Sequence, residues 1–332
     1  MKRAGDLFSS VPDRIGYGLG LDLPWGEPVG FVRDPAHGDH VSLRVRRFLE
    51  RYASRFASVF LAFQPRDRQI LRSDNYFAAF DDFFDAASNI HTRALHHTML
   101  NMGTLDPYRR DEIANFTNQL CARYGFKWIV EDLGIWSAQG KVVPYPMPPI
   151  LTQAGLEASV ANVKAWQKLL DVPLSVEFPG FTDGSNFYIG TINAFDFFLR
   201  LTEETDVAVT IDIGHILSYQ WLLGRRGREL FTDLENLPYE HCFEFHLSGC
   251  VIANGKFRDA HHGVLLDEQI ELLEVLLPRC PNLRVITYED ARFTDSGELI
   301  PKALPNVMRL EALVDQWLAT RADHPKPGST FT

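Results

Sequence analysis

The segment VAVTIDIGHI, residues 207–216, decides the fold. Residues 207–213 form an almost continuous apolar run rich in β-branched side chains, which predicts a buried strand. Asp212 and His215 stand at the end of that run, and a longer segment with helical periodicity follows. A buried strand that ends on polar residues and leads into a helix is the repeating unit of parallel α/β folds.

The same pattern recurs along the chain. The amphipathic segments 152–170 and 307–318 are examples of the helices expected between strands. The predicted strands are 14–19, 58–63, 93–97, 127–131, 174–178, 207–213, 242–247 and 283–289. Eight strand–helix units favour a (β/α)8 TIM barrel of the α/β class. An open doubly wound sheet is the rival, but Gly16, Gly18 and Gly20 are spaced as GxGxG and no helix start follows them.

Length and composition agree with one barrel. The chain has 332 residues, of which 45% are hydrophobic and 23% charged, so it can form a large core. We expect a single TIM-barrel, metal-binding catalytic domain over residues 12–321. Residues 322–332 are polar and rich in proline and glycine, and we expect a flexible tail there.

The charge balance argues against some partners. With 33 Lys and Arg against 43 Asp and Glu, the net charge is −10, which disfavours nucleic acid and anionic membrane surfaces. Neither a signal-peptide apolar region nor a run of about 18 apolar residues occurs, so we expect a cytoplasmic protein. The four cysteines form no CxxC pair, which argues against a disulfide framework and a thiolate zinc site.

Histidines and carboxylates stand at or just after the ends of six consecutive predicted strands. Taken alone, Asp212 could cap a helix and His246 could be a hydrogen-bonded core residue. Nine such groups together indicate a multinuclear metal site, because burying an ionisable group costs several kcal/mol unless it is paired or metal-bound. Nitrogen and oxygen donors suit iron, manganese or zinc. The predicted ligands are His96, Glu131, Glu177, Asp212, His215, His246, Asp259, His261 and Glu289. Strand alternation allows only one of His96 and His97 to point into the barrel, and the family pattern described in the next paragraph favours His96.

The order His, Glu, Glu, DxxH, His, DxH, Glu resembles the metal-binding barrels of the xylose isomerase and apurinic endonuclease superfamily. Within it, the chain is most similar to the multinuclear non-haem iron-dependent oxidative enzymes, a family that includes the methanobactin biosynthesis oxidase. The resemblance extends from Ile15 to Phe293. It is carried by Asp74-Asn75-Tyr76, LHH (95–97), the segment from Glu131 to Trp136, PYPMPP (144–149), VEFPG (176–180), IDIGH (211–215), FHLSG (245–249), DAHHG (259–263) and ITYED (286–290).

The resemblance implies how the ligands divide among metals. Glu177 would bridge two ions, and Asp212, His246 and Glu289, the implied catalytic residues, would complete one of them. His96 and Glu131 would hold the second ion, and His215, Asp259 and His261 would hold the third. Two departures bear on the second ion. The family histidine after the second strand is replaced by Gln64 or Arg72, and an asparagine after the fifth-strand glutamate is replaced by Phe178. Both two and three metals therefore remain open.

The resemblance also implies an activity. Such enzymes use two or three Fe2+/Fe3+ ions and O2 to modify side chains, above all cysteine, of a ribosomally synthesised precursor peptide. A leader peptide or a separate partner protein would deliver the substrate. One alternative is a sugar isomerase or phosphodiester hydrolase of the same superfamily that uses Zn2+ or Mn2+. Another is a non-catalytic metal- or partner-binding barrel, as Gln64 and Arg72 suggest.

Overall fold

The computed structural model describes residues 1–22, 43–62, 74–106, 109–138, 141–182 and 187–323. Their strands are β1 (Gly16–Asp22), β2 (Ser58–Ala62), β3 (Thr92–His96), β4 (Trp128–Asp132), β5 (Ile135–Ala138), β6 (Lys141–Met147), β7 (Leu174–Glu177), β8 (Ala208–Asp212), β9 (Cys242–Leu247), β10 (Cys250–Ala253), β11 (Lys256–Asp259) and β12 (Val285–Glu289). Their helices are α1 (Ala4–Ser10), α2 (Leu43–Tyr52), α3 (Asp74–Ala86), α4 (Arg110–Tyr124), α5 (Gln153–Leu169), α6 (Ala194–Thr205), α7 (Ile213–Leu222), α8 (Asp267–Leu276) and α9 (Leu304–Asp323).

Eight parallel strands close into a barrel in the order β1-β12-β9-β8-β7-β4-β3-β2. The predicted (β/α)8 TIM barrel is therefore confirmed. Two antiparallel hairpins, β5–β6 and β10–β11, are additions that the sequence did not predict. Each hairpin follows the carboxyl end of a barrel strand, β4 or β9, and so extends from the face where TIM barrels carry their active sites.

Two hydrophobic clusters hold the barrel. The larger cluster lies between the strands and the surrounding helices, and it includes the inward stripes of α5 (Leu156, Val160, Val163) and α9. The smaller cluster fills the barrel interior with residues such as Phe60, Trp128 and Val130. Ala4 and Leu7 of α1 join this interior cluster. Because the backbone of Ala4 donates to the carbonyl of Asp206, just before β8, α1 closes the amino-terminal end of the barrel.

Helices extend beyond both ends of the predicted domain, residues 12–321. α1 lies before residue 12 and is nevertheless packed into the barrel. α9 ends at Asp323, inside the predicted tail, and residues 324–332 lie outside the described part of the chain. Within that described part, no helix is both long enough and apolar enough to cross a membrane.

The glycines of β1 have a packing role. Gly18 and Gly20 lie inside the strand, where a Cβ on Gly20 would overlap the ring of Phe60. That ring lies 5.1 Å, centroid to centroid, from both His96 and His246. Gly20 therefore gives Phe60 the room to form an apolar wall against two of the predicted ligands.

Candidate metal centre

Strand register brings the polar residues to one level at the carboxyl end of the barrel. Asp132 pairs with Glu177 across β4 and β7, and Asp212 pairs with His246 across β8 and β9. Glu289 pairs with Gly20 across β12 and β1. All of these polar side chains are buried. The barrel thus gathers ionisable groups from distant parts of the sequence into one interior layer.

Three sets of donor atoms in this layer are close enough to hold metal ions. Glu177 belongs to the first two sets and His215 to the last two, so the three form one continuous cluster. The sets are His96, Glu177, His246 and Glu289; Asp132, Glu177 and His215; and Asp212, His215 and Asp259. Of the nine predicted ligands, seven lie in these sets.

Glu177 is the centre of the first set. One carboxylate oxygen lies 3.0 Å from Nε2 of His96 and the other lies 3.0 Å from Nδ1 of His246. The same Nδ1 lies 3.0 Å from Oε1 of Glu289. Burial opposes ionisation of Glu177, but the adjacent imidazoles outweigh it and hold the pKa of Glu177 well below its usual range. Burial likewise opposes protonation of His96, but Glu177 raises the pKa of His96 to about 9.

The hydrogen bonding of His215 determines which of its ring nitrogens can bind a metal ion in the third set. Its Nδ1 lies 2.7 Å from the backbone carbonyl oxygen of Phe178. Because a carbonyl oxygen only accepts, Nδ1 carries the proton and donates it. Nε2 lies 3.3 Å from Oδ2 of Asp259 and is left as the metal-binding nitrogen. His215 is thus suited to the set with Asp212 and Asp259, whereas its Nδ1, which lies 3.5 Å from Asp132, is already engaged.

Asp212 gives the clearest indication that a cation fits here. Its Oδ1 accepts a 2.7 Å hydrogen bond from the backbone N–H of His215 and caps α7, which explains the DxxH spacing. Its Oδ2 is buried, and no donor among the described residues reaches it. Burial and the nearby charges of Asp259, Glu289 and Glu177 raise the pKa of Asp212 well above its usual range. A bound cation would offset this repulsion and satisfy the orphaned oxygen.

His261 lies at the more exposed edge of the cluster. Its Nε2 is 3.5 Å from Oδ2 of Asp259, and its side chain is 39% exposed. The opposite ring nitrogen, Nδ1, lies 2.8 Å from Oδ2 of Asp290. Both His261 and Asp290 adopt left-handed backbone conformations, with φ of 45° and 49°. Such conformations are strained for residues other than glycine and cluster at functional sites. Asp290 belongs to the ITYED motif but was not predicted as a site residue.

The structure does not bring Glu131, one of the predicted ligands, into the three donor sets. Its two carboxylate oxygens accept hydrogen bonds of 2.7 and 2.6 Å from the backbone N–H groups of Leu100 and Asn101. The reason is strand alternation: Trp128 and Val130 point into the barrel, so Glu131 points outward and Asp132 inward. Asp132 is the site residue that the sequence analysis missed. Strand alternation allows only one of Glu131 and Asp132 to point inward, but by itself it does not tell which one.

Glu131 acts on the loop that follows β3. His97 also faces this side: its Nδ1 lies 3.3 Å from Glu131 and accepts from the backbone N–H of Thr98 and Met99. Its Nε2 lies 2.9 Å from the hydroxyl oxygen of Thr117 on α4. Glu131 and His97 therefore hold the loop after His96 in place from outside the barrel.

Comparison with known proteins supports the resemblance. The model of the family "RiPP precursor modification enzyme MbnB/TglH/ChrH" matches residues 70–305 of the chain. RiPPs are ribosomally synthesised and post-translationally modified peptides. The chain belongs to this family. As a member of the MbnB/TglH/ChrH family it is an enzyme that acts on a precursor peptide, and its buried His, Asp and Glu clusters could bind metal ions.

Solved structures support the fold. A xylose isomerase-like TIM barrel protein from Mycobacterium smegmatis, in complex with magnesium, is 12% identical with a TM-score of 0.52, over 96% of this chain and 100% of that one. Mannonate dehydratase from Streptococcus suis serotype 2 is 10% identical with a TM-score of 0.50, over 96% and 98% of the two chains. No curated protein matches the chain.

Of the two departures from the expected ligand pattern, Phe178 is the one that the structure describes. Gln64 and Arg72 lie outside the described residues, and the side chains of Asp74, Asn75 and Tyr76 are likewise not described. Phe178 is fully buried and packs against Phe195 and Phe198 of α6, with ring centroids 5.3 and 5.4 Å away. Only its carbonyl oxygen takes part in the cluster, through His215.

Proposed function

We propose that this family member is a multinuclear, iron-dependent, O2-using oxidase that modifies a side chain, in the first place cysteine, of its precursor peptide. The observation that carries the proposal is the continuous cluster of three donor sets joined by Glu177 and His215. All its donors are nitrogen and oxygen atoms, a combination suited to iron. Glu177 would be shared by the ions of the first two sets and would hold them close together, as oxidation chemistry with more than one iron requires.

The geometry supports a partition different from the one that the resemblance implies. His96, Glu177, His246 and Glu289 would hold one ion, and Asp212, His215 and Asp259, with His261 at the edge, would hold a second. Asp132 and Glu177 offer donors for a third ion. The predicted catalytic residues Asp212, His246 and Glu289 are thus divided between two ions, and Asp132 takes the place that Glu131 was expected to fill.

The protein's own residues supply position, charge and exclusion of water. When bound, iron supplies coordination positions for a substrate thiolate and electrons for the reduction of O2. Phe60 covers His96 and His246 from within the barrel, while the hydroxyl group of Ser248 and the thiol of Cys250 contact Oδ1 of Asp259. Oδ2 of Asp259 is left facing Nε2 of His215 and Nε2 of His261. Because His261 is the more exposed of these, we propose that the peptide enters from the His261 side.

The remaining parts of the proposal concern partners. The substrate is the precursor peptide, delivered by its leader or by a separate partner protein, and O2 is the co-substrate. We place the reaction in the cytoplasm, and we expect neither nucleic acid nor a membrane as a partner.

Metal analysis after anaerobic purification tests the proposal. We expect two or three irons per chain and a mixed-valence signal that O2 abolishes. The loaded enzyme should change the mass of a cysteine-containing precursor encoded beside its gene, and a Cys→Ser version of that peptide is the matched control. Stoichiometric zinc without iron would instead favour an isomerase or hydrolase. Metal without any peptide modification would favour a binding protein.

A further inference from the structure

Glu244 is a fully buried carboxylate inside the barrel, one layer below the metal-facing residues. It lies two residues before His246 on β9, so both side chains point to the barrel interior. Glu244 belongs to none of the donor sets found among the described residues. The proposed centre therefore gives this residue no role.

Three polar groups surround its carboxylate. The indole N–H of Trp128 donates to Oε2 at 2.9 Å, and the hydroxyl of Thr287 donates to Oε1 at 2.5 Å. Nε2 of His246 lies 3.2 Å from the same Oε1. These contacts join β9 to β12 beside it and to β4 across the barrel. They offset the cost of burying an ionised group, which is several kcal/mol when the group has no partner.

The two nitrogens of His246 face different carboxylates. Nδ1 lies 3.0 Å from both Glu177 and Glu289, whereas Nε2 faces Glu244. A histidine that binds a cation through Nδ1 must be neutral and carry its proton on Nε2. Nε2 lies 3.2 Å from Oε1 of Glu244 but outside hydrogen-bond geometry, so a small rotation of the ring or of the carboxylate would direct the Nε2–H of that form at Oε1. Carboxylates that accept the second N–H of a ligand histidine fix both its tautomer and its ring orientation.

We propose that Glu244 is a positioning residue, which holds His246 in the Nε2–H tautomer and so presents Nδ1 to the metal centre. The inference rests on the proposed metal centre, but it concerns metal binding and does not depend on the oxidation reaction. A purely structural role, in which Glu244 only secures Trp128 and Thr287, is the competing explanation.

Metal affinity separates these explanations. Co2+ affinity is measured by competition with a chelator, and the visible spectrum of the bound Co2+ reports on ligand geometry. We expect Glu244→Ala to weaken binding by about 10–100-fold, the usual effect of losing such a partner, and to shift the spectrum. Glu244→Gln can turn its amide oxygen toward Nε2, so its loss should stay below about tenfold.

Trp128→Phe is the matched control. It removes the hydrogen bond to Oε2 but leaves the contact between Glu244 and His246, so thermal stability should fall while Co2+ affinity and spectrum stay as in wild type. If Glu244→Ala binds Co2+ as tightly as wild type, or if Trp128→Phe weakens binding equally, the positioning role is wrong. A wild-type protein that binds no metal would remove the proposed centre and this inference together.

A measurement on the unmutated protein covers the case in which Glu244→Ala does not fold. In Zn2+-loaded protein labelled with 15N-histidine, NMR should show a proton on Nε2 of His246 and a metal-bound Nδ1. A proton on Nδ1 with Nε2 bound to the metal would overturn the proposal.

Discussion

Glu131 and Asp132 are adjacent acidic residues that we predict to respond to substitution in opposite ways. Both are buried, but Glu131 accepts two backbone N–H hydrogen bonds outside the barrel, and Asp132 faces Glu177 and His215 inside it. Removing Glu131 should therefore damage folding, and removing Asp132 should damage metal binding.

The magnitude follows from the contacts. Hydrogen bonds to a charged group are each worth about 1.5–3 kcal/mol, so Glu131→Ala should lower the free energy of unfolding of the metal-free protein by about 3–6 kcal/mol. Metal per folded chain should be unchanged. Asp132→Asn keeps the shape of the side chain and changes only its contacts with Glu177 and His215, so metal-free stability should fall much less than in Glu131→Ala. The affinity of this variant for Fe2+, or the number of Fe2+ ions that it binds, should fall.

The assay combines denaturant unfolding of metal-free protein with metal analysis of the folded, anaerobically loaded protein. Glu131→Gln, which keeps one acceptor oxygen, provides a milder variant if Glu131→Ala does not fold. The reasoning is refuted if a Glu131 variant loses metal while keeping its unfolding free energy, or if Asp132→Asn keeps wild-type metal binding.

Three further predictions follow from other contacts. Gly20→Ala should lower thermal stability and weaken Co2+ binding, because its Cβ would push the Phe60 ring toward His96 and His246; unchanged binding would show that this wall is not needed. Asp290→Ala should weaken Co2+ binding at the site formed by Asp212, His215 and Asp259 by about 10–100-fold, because His261 loses its 2.8 Å partner. A Co2+ titration in which this site keeps its wild-type affinity would contradict the prediction. Burial raises the pKa of Cys121 to about 12, so below that pH the thiol of the native protein stays protonated. At pH 8.5 the thiolate fraction of Cys121 should be about 1,000-fold lower than that of an exposed cysteine. Mass spectrometry should therefore find Cys121 alkylated only after the protein unfolds.

The barrel was predictable because its strands carry a strong local signal. Segments such as 207–213 are almost continuously apolar, as strands covered by helices must be. The two hairpins gave no such signal. β11 reads Lys-Phe-Arg-Asp, and β5 has only four residues, so their strand structure depends on pairing with a neighbour.

The candidate site was predictable as a set of strand ends, but not in every member. The sequence placed Glu177, Asp212 and His246 at the carboxyl ends of apolar runs, and the fold gathers them into one layer. Glu131 and Asp132 are both acidic and both follow the same run, so local sequence does not distinguish them. Glu244 lies within a strand, where a carboxylate gives no sign of which histidine nitrogen it faces.

The sequence by itself determined the class of fold and the chemistry of the donors, because apolar periodicity and residue type are local properties, and its motifs carried the family resemblance. Only the tertiary structure decided which donors meet, which ring nitrogen of His215 is left for a metal, and which carboxylates hold histidines or loops instead. These depend on strand register and on the direction in which each side chain leaves its strand. A shift of one residue moves a carboxylate from the barrel interior to the helix-facing side, as Glu131 and Asp132 show.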